Sequence, residues 1–365
     1  MGAIRSEWEI QDFLRMTGAR LPIIQAPMAG AGGVALAAAV IRAGGIGSLP
    51  CAMLTPDEVR AQIAEVRAQA TGPINLNFFC HQPAPPPDER AWHALLRPFY
   101  EAEGVGPPTV PPPLRMPFDA AMCAVVEEVR PEIVSFHFGM PEPALLARVR
   151  KAGAVIFGNA TTVAEAKWLF YESDVDAIIA QGFEAGGHAG YFLNGYRPVG
   201  TMALLSRIVQ EIGNPCLFSV IAAGGIGDPD AIAGAFAMRA SAVQLGSFYL
   251  RTDEATISAA HRAALDGETV VTNLFSGGLA RGVRNRLIDA IGPVHPDAPP
   301  FPYASAALAE LRRIAEADGR GDYSPLWAGQ GASVSGHMPY HLPTGAEALT
   351  EWLAREAFMR LELGG

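Results

Sequence analysis

The sequence predicts an α/β protein built on a TIM-type (β/α)8 barrel that occupies residues 1–268. Two patterns support this prediction: short apolar runs recur along the chain, and a helical pattern follows each run. Runs that are apolar on both faces are typical of parallel strands covered by helices. Eight such units in about 270 residues match the usual size of a closed barrel. A doubly wound open sheet is the alternative, because strand counts from pattern alone are easily wrong by one or two.

The strand and helix signals alternate in order along the chain. The eight predicted strands are Ile23–Ala26, Ile46–Leu49, Ile74–Phe79, Ile133–His137, Ala154–Phe157, Ala177–Ala180, Leu217–Ala222 and Ala242–Leu245. Capping boxes predict helix starts at Thr55–Glu58 and Thr162–Glu165, and Asp228-Pro229 places a capping residue before a first-turn proline.

Two segments do not fit the repeat. Residues 82–118 form a proline-rich insertion after the third strand that also holds several aromatic residues. It would leave the carboxyl-terminal face of the barrel, where it could serve as a lid or substrate wall, or be a solvated excursion anchored by its aromatics. Residues 269–365 carry two more helical patterns, Ala304–Ala317 and Gly345–Arg360, and predict a helical subdomain that packs on the barrel.

The composition favours an enzyme that acts on a small molecule. Half of the 365 residues are hydrophobic, the formal net charge is -10 and the pI is near 5.3. This balance argues against nucleic acid or an anionic membrane as a partner. Lysine occurs only at Lys151 and Lys167, both in helical patterns, which leaves no lysine for a P-loop or a Schiff base.

Cysteine spacing and hydropathy bear on two questions: whether the protein holds a metal site or disulfides, and where in the cell it is located. The four cysteines, Cys51, Cys80, Cys123 and Cys216, form no C-x-x-C pair, so we expect neither a metal site nor a disulfide framework. The charged N-terminus lacks an apolar signal region, and no apolar run reaches membrane-spanning length. We therefore expect a soluble cytoplasmic protein. Whether it forms a homo-oligomer is left open by the sequence.

The most informative stretch runs from Gln181 to Gly190, where a buried strand leads into a glycine-rich segment that contains His188. Glycines let a backbone approach a flat or anionic ligand closely, and histidine can give or take a proton near neutral pH. The stretch predicts a site with His188 as its acid or base. The alternative is an ordinary loop turn with a solvated histidine.

Residues after the other strands should meet at the same mouth, because ligands bind at the carboxyl-terminal strand ends of barrels. Besides Gln181, Gly186 and Gly187, they are Ala26, Pro27, Met28, Asn77, Gly224, Gly225, Gln244, Gly246 and Ser247. The two glycine loops after the last two strands predict a phosphate site, although such loops can be simple turns. Neutral amides suit a ring that needs hydrogen bonds, unless they only satisfy strand-end backbone groups. Flavin mononucleotide (FMN) fits this combination.

Two further ionisable residues lie near the predicted mouth. His137 ends the fourth strand, where a histidine is more often packed than catalytic. Glu184 lies on the glycine-rich segment, where a carboxylate more often accepts hydrogen bonds from nearby backbone N–H groups. We therefore predict no catalytic role for either.

Five elements in order make the chain resemble the FMN-dependent nitronate monooxygenases, formerly called 2-nitropropane dioxygenases. They are Gln25-Ala26-Pro27-Met28, Asn75-Leu76-Asn77-Phe78, Gln181 to His188, Ala222-Ala223-Gly224-Gly225-Ile226 and Gln244-Leu245-Gly246-Ser247. The resemblance implies FMN at the strand ends, His188 in the catalytic position, and oxidation of alkyl nitronates such as propionate 3-nitronate by O2. The expected products are a carbonyl compound and nitrite, and no external nicotinamide is needed.

The chain departs from this family at two places. Ser247 stands where the family often has threonine, and the region after the barrel offers Tyr303 but no lysine for the substrate end. An enoyl-ACP reductase that takes hydride from NAD(P)H is the enzymatic alternative. A flavin-binding subunit without turnover of its own is the non-enzymatic one.

Overall fold

A computed structural model describes residues 2–108, 114–212, 218–333 and 342–363. In chain order its strands are β1 (Ile23–Gln25), β2 (Gly47–Pro50), β3 (Ile74–Phe79), β4 (Ile133–His137), β5 (Val155–Ala160), β6 (Ala177–Gln181), β7 (Gly187–His188), β8 (Ser219–Ala223), β9 (Ala242–Leu245), β10 (Thr269–Thr272) and β11 (Ala280–Val283). Three of the predicted strands, β3, β4 and β9, have the predicted bounds. The predicted residue Leu217, like Cys216, lies outside the described residues.

Eight parallel strands form a closed ring in the order β1-β9-β8-β6-β5-β4-β3-β2. The ring closes between β1 and the residue before β2, where the Ile46 amide donates to the Ile23 carbonyl at 2.9 Å and Ile24 forms a parallel bridge with Ile46. The predicted barrel is thus confirmed and the open-sheet alternative is wrong. A separate sheet, β10-β11-β7, is antiparallel and was not predicted.

Helices surround the ring, and three of them begin at the predicted caps, whereas the helix predicted over Ala304–Ala317 begins only at Ala309 and the one predicted over Gly345–Arg360 spans Ala346–Leu363. The helices are α1 (Gly2–Thr17), α2 (Val34–Ala43), α3 (Pro56–Gln69), α4 (Arg90–Glu103), α5 (Ala120–Val129), α6 (Pro143–Lys151), α7 (Val163–Glu172), α8 (Thr201–Glu211), α9 (Pro229–Ala237), α10 (Ala259–Ala264), α11 (Arg286–Ile291), α12 (Ala309–Ala317) and α13 (Ala346–Leu363). Thr55 and Thr162 both form the predicted capping boxes, and Asp228 caps α9 by accepting from the Ala231 amide at 2.7 Å.

The inside of the barrel is apolar at its amino-terminal end. Phe13 of α1 packs on Phe157 of β5 with ring centroids 6.1 Å apart, and both side chains are fully buried. Ile133, Ala177 and Ala242, at the beginnings of their strands, belong to the same cluster. Helix α1 therefore closes this end of the barrel and leaves the carboxyl-terminal strand ends as the mouth.

Helix α13 completes the ring of helices around the barrel. It packs between α2 and α9, which follow β1 and β8, and so takes the position outside β9. Leu349 and Leu353 are buried in the main core, and Thr350 lies 2.7 Å from the Tyr249 hydroxyl. The last described helix thus covers a strand that lies about a hundred residues earlier in the chain.

The insertion after β3 is anchored on the region after the barrel. Trp92, Leu96 and Tyr100 of α4 are buried in a second core that includes residues of α11 and α12. Tyr100 donates from its hydroxyl to the Ala307 carbonyl at 2.6 Å. The predicted division between residues 268 and 269 stays a prediction, since these contacts do not show which segment folds independently. Among the described helices, none has the length and apolarity needed to cross a membrane.

Candidate active site

A cavity of about 630 Å³ opens at the carboxyl-terminal ends of the barrel strands. Every predicted site residue lines it: Ala26, Pro27, Met28, Asn77, Gln181, Gly186, Gly187, His188, Gly224, Gly225, Gln244, Gly246 and Ser247. The fold thus brings together side chains and backbone from five of the ring strands, β1, β3, β6, β8 and β9, or the loops after them. A cavity of this size lies within the range of small-molecule sites.

The glycine loops after β8 and β9 form one wall of the cavity. Gly224 and Gly225 have φ values of +116° and +68°, a backbone conformation that side chains other than glycine rarely adopt. A Cβ atom on Gly225 would also lie 3.0 Å from the Glu184 Cβ. Helix α9 begins a few residues later, so its positive end and these backbone amides suit an anion.

The three predicted amides differ in how far the protein satisfies them. Asn77 donates from Nδ2 to the Ser135 hydroxyl at 2.9 Å, and Gln181 bonds three groups of neighbouring segments. The Oε1 atom of Gln244 is buried and has no hydrogen-bond partner among the described residues. A buried carbonyl oxygen without a donor is costly. Gln244 therefore fits a ligand whose ring presents an N–H group.

Gln181 and the small sheet hold His188 at the cavity. Gln181 donates from Nε2 to the His188 carbonyl at 2.9 Å and accepts at Oε1 from the Gly190 amide at 2.9 Å. Strand β7 pairs with β11 so that His188 lies opposite Ala280. The imidazole Nε2 lies 2.8 Å from the buried Ser276 hydroxyl. Both the backbone and the ring of His188 are thus fixed.

Aromatic rings surround the His188 imidazole. Ring centroids of Phe301, Trp327, Phe138 and Phe79 lie 5.2, 5.6, 5.9 and 6.1 Å from it. Burial, then the positive charge of a nearby arginine, lowers the pKa of His188 well below its usual value. The ring is therefore neutral at pH 7, which is the form that can accept a proton.

Comparison with known proteins identifies the family of the chain. A sequence model described as nitronate monooxygenase matches residues 13–341. The chain belongs to this family.

Two relatives and one solved structure show how much of the chain the similarity covers. The chain is 40% identical to a nitronate monooxygenase of Paraburkholderia phytofirmans over 361 residues, which covers 96% of the chain and 95% of the relative. It is 39% identical to the nitronate monooxygenase of Pseudomonas aeruginosa, with 90% and 95% covered. A nitroalkane oxidase from Streptomyces ansochromogenes has a similar structure, with a TM-score of 0.84, 31% identity, and 97% and 100% covered.

Nitronate monooxygenases are flavin-dependent oxidoreductases. In this family member, Glu184, Tyr303 and Ser247 form hydrogen bonds with other parts of the protein. Glu184 accepts from the Thr201 amide at 2.9 Å and the Thr201 hydroxyl at 2.8 Å, which confirms its expected bonding to backbone N–H. Tyr303 does not line the cavity and donates to the Ala84 carbonyl of the insertion at 2.8 Å. Ser247 accepts from the Gly329 amide at 2.7 Å.

Several residues that line the cavity were not predicted from the sequence. Arg115 comes from the insertion, while Asn159 and Trp327 come from β5 and the region after the barrel. His137, which was predicted to be packed, also lines the cavity, and burial lowers its pKa to about 4. Across the described ranges, no cluster of three or more His, Cys, Asp or Glu side chains could hold a metal ion.

Proposed function

We propose that the protein binds FMN and oxidises alkyl nitronates, such as propionate 3-nitronate, with O2 to a carbonyl compound and nitrite. The observation that carries the proposal is one cavity that joins two glycine loops, an unpartnered amide oxygen and a neutral histidine. The named relatives and the nitroalkane oxidase structure support it. We propose the cytoplasm as its location from the composition alone.

The residues present fit FMN at two places. The backbone amides of the loops at Gly224–Gly225 and Gly246–Ser247, beside the start of α9, would hold the phosphate without a lysine. Gln244 Oε1 would accept a hydrogen bond from the flavin ring and so gain the donor that the protein does not supply. When bound, FMN supplies the redox chemistry with substrate and O2.

We assign His188 the role of catalytic base for neutral nitroalkanes. Its imidazole is neutral because it is buried among aromatic rings, and Ser276 fixes its orientation through Nε2. A base of this kind removes the proton on the carbon next to the nitro group. A nitronate has already lost that proton, so with a nitronate His188 would only orient the substrate.

The test begins with the visible spectrum and the mass of the extracted cofactor of the purified protein. We expect yellow protein that releases FMN and consumes oxygen when propionate 3-nitronate is added. Protein that stays colourless after incubation with FMN would contradict the cofactor assignment. Rapid bleaching by NADPH without oxygen, together with no reduction by a nitronate, would favour the enoyl-ACP reductase alternative.

A further inference from the structure

Arg115 lies at the cavity although it comes from the insertion after β3. Three residues later, the Phe118 amide donates to the Phe79 carbonyl at 2.7 Å, and the Phe118 ring packs on Phe78 with centroids 4.8 Å apart. These contacts tie the end of the insertion to the last residues of β3. The guanidinium of Arg115 therefore enters the cavity from the β3 side.

The strand order places this arginine across the mouth from the glycine loops. In the closed ring, β3 lies opposite β8 and β4 lies opposite β9. The proposed phosphate loops follow β8 and β9, whereas Arg115 stands beside the end of β3. Its charge also acts on His188 and His81, and in each case lowers the pKa of the imidazole. Arg115 thus belongs to the His188 side of the cavity.

The charge of Arg115 has no partner in the described part of the chain. Neither a carboxylate nor a carbonyl there bonds its side chain, and burial lowers its pKa. Other arginines near the mouth differ: Arg312 pairs with Glu316 at 2.8 Å, and Arg281 donates to the Phe183 carbonyl at 2.9 Å. Arg115 is half-buried, and a guanidinium that is partly removed from water stays charged and is stabilised by an anion or other acceptor that meets it.

We propose that Arg115 binds the anionic NO2 group of the nitronate and makes the enzyme favour the nitronate over the neutral nitroalkane. The proposal rests on the proposed function above. A nitronate carries its charge on two oxygens in one plane, as a carboxylate does, and a guanidinium presents two parallel N–H donors to such a pair. Phe79, which lines the same cavity and packs on Phe138, offers an apolar surface for the alkyl chain.

Arg115 and His188 then have separate tasks. His188 is neutral and adds no charge to attract an anion, so the binding of the anion depends on the arginine. Arg115 contributes binding without accepting a proton, since a guanidinium does not deprotonate in proteins. Loss of Arg115 should therefore act mainly on KM for a nitronate, whereas loss of His188 should act on kcat for a nitroalkane.

The experiment compares Arg115→Gln and Arg115→Lys with the flavin-loaded wild type. Arg313→Gln is the matched control, because Arg313 pairs with Glu310 at 2.9 Å on α12 and does not line the cavity. For Arg115→Gln we expect KM for the nitronate of 2-nitropropane, whose only charge lies on the nitronate group, to rise about 10- to 100-fold, the size of a charged hydrogen bond. The kcat, and KM for neutral 2-nitropropane, should change by less than about threefold. Arg115→Lys should recover part of the loss.

A binding measurement without turnover separates this inference from the proposed function. Nitrate, a planar oxyanion, is titrated into each flavin-loaded protein and followed by calorimetry. We expect binding to wild type and to Arg313→Gln, and at least tenfold weaker binding to Arg115→Gln. If no nitronate is oxidised but nitrate binding depends on Arg115, the proposed function fails and the anion site stands. Equal nitrate binding and equal KM in wild type and Arg115→Gln, or no nitrate binding to wild type, would overturn the inference.

Discussion

Replacing His188 by alanine should separate proton removal from the oxidation of a nitronate. The imidazole is neutral, lies among four aromatic rings and is oriented by Ser276 at 2.8 Å. For a neutral nitroalkane the reaction needs a base at this place. For a nitronate prepared in advance in alkaline solution, the proton has already gone. The two substrates should therefore respond differently to the same substitution.

The expected loss of activity in His188→Ala follows from the rate acceleration that a positioned base contributes. General base catalysis usually accelerates a reaction by 10²- to 10⁴-fold, which is about 3 to 5 kcal/mol of barrier. We expect kcat/KM for 2-nitropropane to fall by roughly this factor in His188→Ala. With propionate 3-nitronate the loss should stay within about tenfold, because only orientation is lost. The protein should stay yellow, since the glycine loops and Gln244 remain intact.

The assay is oxygen consumption by flavin-loaded protein with each substrate, with the flavin content of each variant measured first. His93→Ala serves as the matched control, because His93 lies on α4 and does not line the cavity. Wild-type turnover of 2-nitropropane should also persist below pH 6.5. The lowered pKa of His188 keeps the ring unprotonated there, and activity should decline only as the pH falls through that lower value.

An equal loss for both substrates at equal flavin content would contradict the assignment of His188 to proton removal. That outcome would mean that His188 serves a step after proton removal. Undiminished turnover of 2-nitropropane by His188→Ala would remove the residue from the mechanism altogether. An activity loss near pH 6.5 in the wild type would instead show that the surrounding rings do not hold the imidazole neutral.

Three further substitutions test the supports of the site. Glu165 is fully buried and accepts hydrogen bonds from Thr161 and from the amides of Phe192 and Leu193. Glu165→Ala should therefore lower the free energy of unfolding, measured by urea denaturation, by about 2 to 4 kcal/mol. A loss below about 1 kcal/mol would contradict this prediction. Gln181→Leu removes the donor to the His188 carbonyl, so turnover of 2-nitropropane should fall about tenfold with flavin still bound, and unchanged turnover would speak against this support. Burial lowers the pKa of His137 to about 4, so the unfolded protein takes up the proton first as the pH falls below 6.5. The contribution of His137 to stability is present above pH 6.5 and should decrease by up to about 3 kcal/mol toward pH 4. The free energy of unfolding in urea should therefore fall less between pH 6.5 and pH 4 in His137→Leu than in the wild type.

The barrel could be predicted because most of its strands have a local sequence pattern that is typical of buried parallel strands. The run Ala177–Ala180 is apolar on both faces, and the structure places β6 over Ala177–Gln181. Strands β7, β10 and β11 were not predicted from the sequence. Strand β7 has two residues, and its pairing partner β11 lies about ninety residues away, so no local pattern marks it. Nothing in the sequence therefore showed how His188 is held.

The residues of the cavity also fall into those that could be predicted from the sequence and those that could not. Residues directly after ring strands, such as Asn77 and Gln244, could be placed at the mouth because parallel strands end together. Arg115 and Phe301 lie in an insertion and in the region after the barrel, and only the tertiary fold brings them to His188. One clue was nevertheless present: the substrate that the resemblance implies is an anion, and the chain offers lysine only at Lys151 and Lys167.

The position of α13 has a consequence for how the chain is made. Strand β9 ends at Leu245, but the helix that shields it begins only at Ala346. Ribosomes add about 5 to 20 residues per second, so the nascent chain waits roughly 5 to 20 s between the two. During that interval the apolar flank of the barrel beside α2 and α9 is uncovered. Chaperone contact and aggregation during synthesis should concentrate on that flank.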